Sequence, residues 1–579
     1  MVKIIRVNMT DRTVRVEPVP EAWLGLGGRA LTSTIVSAEV PPTCHPLGPN
    51  NKLVFAPGLL SGTAAANSGR CSCGAKSPLT GGIKESNAGG TTARQFARLG
   101  VHALIIEGKP TGEAWYSIHV DHNGAVVEQE TETIGKGNFA VLESANRRWG
   151  EEIGVITLGP PGEHMMAIAN ISTKDPDGKL RSFGRGGLGA VMGSKRIKFI
   201  TVDDSEASNV PLVDRKAFLD ASKRFAQTLV DHPVSGKGLP IYGTAVLVNI
   251  LNEVGGLPTR NFTSGQYVDH DKISGETMHD TIVARHGEPT HNCSLGCKIQ
   301  CSQVYNDKDG KYVTSGFEYE TIWALGADCC INNLDQIAEA DNIMDDLGVD
   351  SIETSVMFGV AMEAGVLPFG DGAGVLRLLR EEIGRATPLG RILGGGTAAV
   401  GRAYGVTRVP VVKNLAIPAY DPRSVKGIGV TYATTTMGAD HTAGYTITTN
   451  VLNVGGRIDP LKNDGQVELS RNLQIATAAI DSTGLCIFIA FPALDIPDCL
   501  VSLIEMINAR YGIKLTGDDV TALGKKTLKI EREFNLAAGI GPEQDRLPEF
   551  FELEKIAPHD VAWDMPAEEL QSFWKPITG

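Results

Sequence analysis

The sequence predicts an α+β protein of three domains, a β-rich N-terminal base followed by two helical domains. Two patterns and the chain length argue for it. Short apolar segments punctuated by glycine fill roughly the first 205 residues, and helical periodicity takes over from about residue 211. At 579 residues the chain is too long for one hydrophobic core.

Taken in order, residues 4–16 read as a hairpin, and strands are expected at 53–56, 103–107, 155–158 and 197–202, with glycine clusters between them. Helices are expected at 217–230, 244–254, 334–347, 354–364 and 374–383, and helical patterning continues to the C-terminus. A polar, proline-containing stretch at 208–211 and the proline-rich 410–422 region place the boundaries, giving domains 1–209, 210–409 and 410–579. The 67 glycines form short clusters without a period, which excludes a collagen-like chain and points to close backbone approach.

A net charge of -13 excludes nucleic acid and anionic membrane as partners, because the long-range force would be repulsive. The N-terminus lacks the apolar core of a signal peptide, and no apolar run approaches the ~20 residues of a spanning helix. The expected location is therefore the cytoplasm. There the 10 cysteines stay reduced, and a cluster of them suggests a metal rather than disulfides.

Cys293, Cys297 and Cys301 stand at i, i+4 and i+8, a spacing that puts three thiols on one helix face, where they can grip a soft metal centre. Zinc or buried free thiols would use the same residues. Cys486, at the end of the hexapeptide 481–486, supplies a fourth ligand and turns the expectation to one [4Fe–4S] cluster held between two domains. That hexapeptide has a counterpart at 345–350: both read D-x-x-G-aliphatic-(C/D), each at the end of a helical run with a glycine suited to a left-handed cap. Two similar sites imply two similar ligands, each met by a carboxylate, as a pterin would require. Two glycine-rich segments, 69–90 and 181–189, combine backbone N–H groups with cationic side chains and suit phosphate. Residues 184–189 match G-x-G-x-x-G, but a loop is expected before them and a strand follows too soon for a Rossmann crossover.

The S-P-L-T-G and N-A-G-G stretches resemble the tungsten-containing aldehyde:ferredoxin oxidoreductase family. So do G-R-G-G-L-G-A-V-M-G-S-K, E-Y-E-T-I-W-A-L-G, both D-x-x-G motifs and L-A-I-P-A-Y-D-P-R. The likeness spans nearly the whole chain in order. It implies that the first domain supports a tungsten bis-pterin (tungstopterin) with no protein ligand to the metal, and that each helical domain closes over one pterin. By the same resemblance Asn87 and the backbone at Ser182 hold a magnesium ion between the pterin phosphates, and Arg70 lies between cofactor and cluster. Gly89, Gly184 and Arg185 make further cofactor contacts; Asp345, Val349 and Asp350 bind one pterin, and Asp481, Leu485 and Ile487 the other. Glu320 and His441 match the two acid/base positions, one polarising the carbonyl and the other activating water, in either assignment.

The implied activity is oxidation of aldehydes to carboxylic acids, with electrons leaving through the cluster to ferredoxin or to an iron–sulfur subunit, in some arrangements with a flavin subunit. The alternatives are the catalytic subunit of a tungsten-dependent aromatic acyl-CoA reductase and, outside the family, a structural zinc or electron-transfer protein. Two positions depart from the family pattern. Thr290 stands where some members have their first cysteine, with Cys301 as the extra thiol, and Ile343 stands where an iron-binding histidine follows Glu339 in members bridged by iron. An oligomer is expected, but not that iron-bridged dimer.

Overall fold

The computed structural model describes residues 2–578. Twelve strands in the first part of the chain make two six-stranded sheets. The first contains β1 (Lys3–Asn8), β2 (Thr13–Pro18), β3 (Leu53–Pro57), β4 (Cys71–Lys76), β5 (Ile83–Ala88) and β6 (Val101–Glu107), in the order β2-β1-β6-β3-β4-β5. The second contains β7 (Trp115–Asp121), β8 (Gly124–Glu130), β9 (Gly154–Thr157), β10 (Ile171–Lys174), β11 (Leu180–Phe183) and β12 (Ile197–Val202), in the order β11-β10-β9-β12-β7-β8. Read from opposite ends, these are one topology twice. Each sheet has a hairpin whose first strand pairs in parallel with the sixth, and an antiparallel run of the other three. A 12-residue helix (Gly28–Glu39, Asn138–Trp149) follows each hairpin, and a 7-residue helix (Thr92–Arg98, Leu188–Ser194) precedes each sixth strand. The sheets pack face to face, with Phe55 meeting Phe183 edge-on at 5.7 Å between ring centroids.

Every strand expected in this region is present. The glycine clusters, however, are not merely connections: they contain β4, β5 and β11. All six residues of β4, CSCGAK, are buried, so there is no polar face to produce an alternating pattern. Gly74 within it allows the helix Gly28–Glu39 to lie on the sheet, since a Cβ there would sit 2.6 Å from Thr32 Cβ. A strand, β11, therefore precedes residues 184–189, contrary to the expected loop. The segment still makes no Rossmann crossover, because β11 and β12 lie apart in a mostly antiparallel sheet and the helix between them has only 7 residues.

The rest of the chain is helical except for a small sheet of β13 (Glu288–His291), β14 (Ser302–Asn306) and β15 (Tyr312–Ser315), and a two-stranded ribbon. Helix Arg215–Asp231 packs on Pro497–Tyr511 through Phe218, Phe225, Leu503 and Met506. The largest core is built around Trp323, Phe358 and Tyr432. The cysteine segment is a correction. It is an irregular loop between β13 and β14, not a helix, because Gly296 (φ 77°) and Gln300 (φ 52°) take left-handed conformations that interrupt any helix.

Each D-x-x-G motif is seated on one of the two sheets. After β3, Gly58 meets Gly484 so closely that a Cβ would fall 2.0 Å from its nitrogen, and Leu59 and Leu60 donate to the carbonyls of Ser482 and Thr483. After β9, Gly159 meets Leu347, where a Cβ would fall 1.9 Å from the carbonyl oxygen, while Asn170 N donates to Gly348 O at 2.9 Å. Gly348 (φ 68°) and Gly484 (φ 81°) are the left-handed caps that the motif predicts. No single helix among the described residues is long and apolar enough to cross a membrane. The bent pair Val234–Tyr242 and Thr244–Glu253 has the length and composition only when its two parts are taken together.

Candidate functional site

A cavity of about 600 Å³ lies where the two sheet edges, both motif ends and the cysteine loop converge. One end is polar. Asn87 on β5 and Ser182 on β11 occupy the corresponding outer strands of the repeated sheets, and Arg29, Arg70, Lys84, Arg181 and Arg185 surround them. Val234, Leu239, Tyr445, Leu452, Phe488 and Phe491 add an apolar wall that packs with Cys297 and Cys301.

The two motif carboxylates reach this cavity from different helices. Asp345, in the last turn of Leu334–Leu347, has no side-chain partner among the described residues, and burial beside Asp341 holds its carboxyl well above the usual range. Asp481 is pushed by burial to about 6, with Arg29 Nη1 3.3 Å away opposing the shift. The last residues of the motifs also correspond. Asp350 caps helix Ser351–Glu363 by accepting from Ile352 N and Glu353 N, and Cys486 stands just before Ile487–Ile489. Asp350 additionally accepts from Arg185 Nε at 3.2 Å. Arg185 donates its remaining groups to the carbonyls of Ala439 and Ala416, so both side chains serve to lock the base to the helices. Among the expected bis-pterin contacts Leu485 alone does not line the cavity. Its side chain enters the core with Phe218 and Leu503, because the left-handed Gly484 turns it away, leaving only its backbone near the motif end.

Glu320 and His441 come together across 120 residues of sequence, His441 Nε2 lying 3.0 Å from Glu320 Oε1. Burial pushes the Glu320 carboxyl up, but the hydrogen bond and charge of His441 outweigh it and leave Glu320 below its ordinary value. Tyr420 Oη donates to the same oxygen at 3.3 Å and lies 2.9 Å from Tyr445 Oη. His441 Nδ1 is buried without a partner. Behind the pair, Lys84 Nζ holds Asp440 at 2.7 Å. Burial alone would raise Asp440, yet the charges of Lys84 and His441 keep its carboxyl far below the usual range.

The cysteine loop closes the polar end. Cys293 and Cys301 line the cavity, and Cys301 bridges beside His291. Thr290 points outward. Cys297 Sγ accepts from Gln300 N at 3.3 Å and Asn67 Nδ2 at 3.4 Å, while the backbone carbonyl of Asn67 accepts from Cys486 N at 2.9 Å. Arg70 reaches from the carbonyl of Asn87 to Cys486 Sγ, spanning cavity and thiols. Gly69 and Gly89 make room for the loop, for a Cβ on them would meet Ser294 at 2.4 Å and Cys293 at 3.1 Å. The hydrogen bond from Cys297 holds the Cys293 thiol down to about 5, whereas burial raises Cys301 and Cys486. Asp175, Asp177 and His291 also approach one another, but Arg181 Nη2 sits 2.8 Å from Asp175 and supplies the counter-charge, so they read as an ion-pair network.

Residues 4–204 match the family described as aldehyde ferredoxin oxidoreductase, N-terminal domain, and residues 220–573 match its domains 2 and 3. The chain is 35% identical over 576 residues to the tungsten-containing aldehyde ferredoxin oxidoreductase of Pyrococcus furiosus, covering 96% of this chain and 92% of that protein. To the protein of the same description from Thermococcus kodakarensis it is 36% identical over 579 residues, with the same coverage of both. The chain belongs to the aldehyde ferredoxin oxidoreductase family. The fold of this family member also matches the active site complex BamBC of benzoyl coenzyme A reductase with 1,5-dienoyl-CoA, at a TM-score of 0.81 and 17% identity, covering 99% of this chain and 94% of that one.

A bis-pterin and a cluster fit the residues of this aldehyde ferredoxin oxidoreductase relative on the structure's own terms. A half-buried carboxylate without a side-chain partner among the described residues lines the cavity at Asp345, a Cβ at Gly184 would meet nothing within 4 Å, and the thiols of Cys293 and Cys301 line the same cavity. Sequence reading missed Arg29, Lys84 and Tyr420. Tyr420 lies inside the L-A-I-P-A-Y-D-P-R motif, whose other polar members are structural: Asp421 and Arg423 form a buried pair at 2.7 Å. Arg29 has no neighbours in sequence that would mark it, and Lys84, though inside the 69–90 segment, is singled out only by its contact with Asp440.

Proposed function

We propose that this chain is a tungsten bis-pterin enzyme that oxidises aldehydes to carboxylic acids, and the observation that carries the reading is the Glu320–His441 pair at the wall of the cavity. The reaction joins an aldehyde and water, yielding a carboxylic acid, two electrons and two protons. A bound tungsten bis-pterin supplies the two-electron acceptor. Glu320, kept as a carboxylate by His441 and Tyr420, takes the proton from water, and His441, held beside Glu320 through Nε2, polarises the aldehyde oxygen. Tyr420, itself held by Tyr445, orients the carboxylate, and the surrounding rings exclude bulk water.

Asp345, Val349 and Asp350 would hold one pterin end through the cavity-facing carboxylate and backbone; Asp481, Ile487 and the backbone of Leu485 would hold the other. Asn87 and Ser182 would flank a magnesium ion between the phosphates, with Gly89 and Gly184 giving backbone access and Arg185 bracing the floor. Cys293, Cys297, Cys301 and Cys486 would bind one [4Fe–4S] cluster, with Arg70 between it and the cofactor. The cavity-facing Cys301 is favoured over the outward Thr290 as its remaining ligand. Electrons would leave to ferredoxin or to an iron–sulfur partner subunit in the cytoplasm, from an oligomer organised as domains 1–209, 210–409 and 410–579. Glu339 is exposed and paired with Arg380, with Ile343 four residues on, which supports an assembly without bridging iron.

The test is aldehyde-dependent reduction of a viologen dye by anaerobically purified protein. Glu320→Gln and His441→Asn should each lower kcat/KM by about 10² or more while keeping the bound metal. Full activity in either variant would refute the assignment.

A further inference from the structure

Glu318 is a second carboxyl on the wall of the cavity, two residues before Glu320 and at the start of the same helical turn, Tyr319–Trp323. One of its oxygens is committed. Thr244 Oγ1 accepts from Tyr319 N at 2.8 Å, so its hydrogen turns to Glu318 Oε2, 2.6 Å away. Oε1 has no hydrogen-bond partner among the described residues, and the side chain borders the cavity. The carboxyl is therefore held in one orientation with one oxygen open to the site.

Each turnover releases two protons beside Glu320, which must be a carboxylate again before it can act on the next water. The other groups around Glu320 offer no outlet. His441 Nδ1 is buried without a partner, burial makes Tyr420 and Tyr445 hold their own protons, and Lys84 and Asp440 are locked in an ion pair at 2.7 Å. Glu318 differs. Burial pushes its carboxyl up to about 7, with the Thr244 hydrogen bond and Arg181 opposing the shift and the charge of Glu320 adding to it, whereas Glu320 lies below its ordinary value. A proton moving from Glu320 to Glu318 goes to the group that holds it more firmly, and at neutral pH that group also releases it readily. Cys293 and Cys301 are the other titratable groups near Glu318, and neither hydrogen-bonds to it among the described residues. Of the neighbouring helices, Leu334–Leu347 turns Asp341 and Asp345 towards the charge of Arg181, and Ser351–Glu363 turns Glu353 to Arg185.

Resting on the aldehyde-oxidation reading, we propose that Glu318 is the proton outlet of the reaction: Oε1 accepts, through cavity water, the proton that Glu320 has taken, and passes it on to solvent. In this step one O–H bond breaks on Glu320 and one forms on Glu318, and no electrons move. Glu320 is left as a carboxylate for the next turnover.

The test compares kcat and kcat/KM of the holoenzyme for one aldehyde at saturating viologen, from about pH 5 to about pH 9. A protonated Glu318 cannot accept, so kcat of the unmodified enzyme should rise as pH passes through about 7, while kcat/KM turns at the lower value of Glu320. Glu318→Gln keeps an acceptor for Thr244 but takes no proton. Because the outlet acts after the aldehyde has reacted, kcat should fall about 10-fold above that limb and lose its dependence on pH there, with kcat/KM changed less than about 2-fold and tungsten content unchanged. Added imidazole should restore part of kcat in the variant and none in the parent. An unchanged kcat, equal losses in kcat and kcat/KM, or no response to imidazole would overturn the proposal. Should Glu318→Gln lose its metal, the unmodified enzyme decides, and a kcat that does not rise through about pH 7 overturns it. Failure to oxidise any aldehyde would instead overturn the underlying activity, and the outlet with it.

Discussion

Removing the Tyr420 hydroxyl should move the acid limb of the pH–rate profile. Tyr420 Oη donates to Glu320 Oε1 at 3.3 Å, the oxygen that also faces His441 Nε2 at 3.0 Å, and both contacts favour the carboxylate over the acid. A hydrogen bond to a charged group is worth about 1.5–3 kcal/mol at good geometry, and at this length about 1 kcal/mol is the appropriate figure. At 1.36 kcal/mol per pKa unit, Tyr420→Phe should raise the Glu320 pKa by ~0.7. The sign follows from the role. A base that protonates more readily loses activity at higher pH, so kcat/KM should fall about 5-fold below the limb and stay unchanged well above it. The assay is kcat/KM for one aldehyde with a viologen acceptor across the acid limb. Tyr445→Phe is the control, because Tyr445 touches Tyr420 rather than Glu320 and should shift the limb less. An unmoved limb in Tyr420→Phe, or a larger shift in Tyr445→Phe, would refute this account of the base.

Gly159→Ala should destabilise the protein by about 1–3 kcal/mol in chemical denaturation, because the new Cβ falls 1.9 Å from the Leu347 carbonyl oxygen, whereas Gly517→Ala, with nothing within 4 Å, should be neutral or stabilising. Glu531→Gln should lower stability by about 3–5 kcal/mol, since Glu531 is fully buried, makes a two-point contact with Arg29 at 2.8 and 2.9 Å, and also accepts from Ser33 and Thr436. Lys84→Met should destabilise by a similar ~3–5 kcal/mol near neutral pH. Asp440 has a depressed pKa in the folded protein, so its contribution is present above the ordinary aspartate value and lost as pH falls; the gap between Lys84→Met and the parent should narrow below about pH 4 in denaturation curves.

The sequence exposed those parts of the fold whose burial differs between faces. The helix Arg215–Asp231 was legible because Phe218, Ala221, Phe225 and Leu229 repeat at helical spacing against an exposed side. β4 was not, since all six of its residues are buried. The repeat of two sheets was hidden because its halves share strand order and helix lengths, whereas the residues forming them differ. At the site, the D-x-x-G glycines were legible because a left-handed cap is a local requirement. The cysteine spacing misled: i, i+4 fits a helix face, but the loop geometry is set by Gly296 and Gln300, and the thiols are gathered by contacts with Asn67 and Arg70 from far along the chain. Tyr420 acts through one hydroxyl aimed at Glu320, a relation between residues 100 apart that no spacing encodes.

The most direct measurement is elemental analysis of anaerobically purified protein combined with aldehyde-dependent viologen reduction. The account predicts tungsten and roughly four irons per chain, with a Cys486→Ser variant losing iron. Protein containing neither tungsten nor molybdenum, or a Cys486→Ser variant with its full complement of iron, would contradict it.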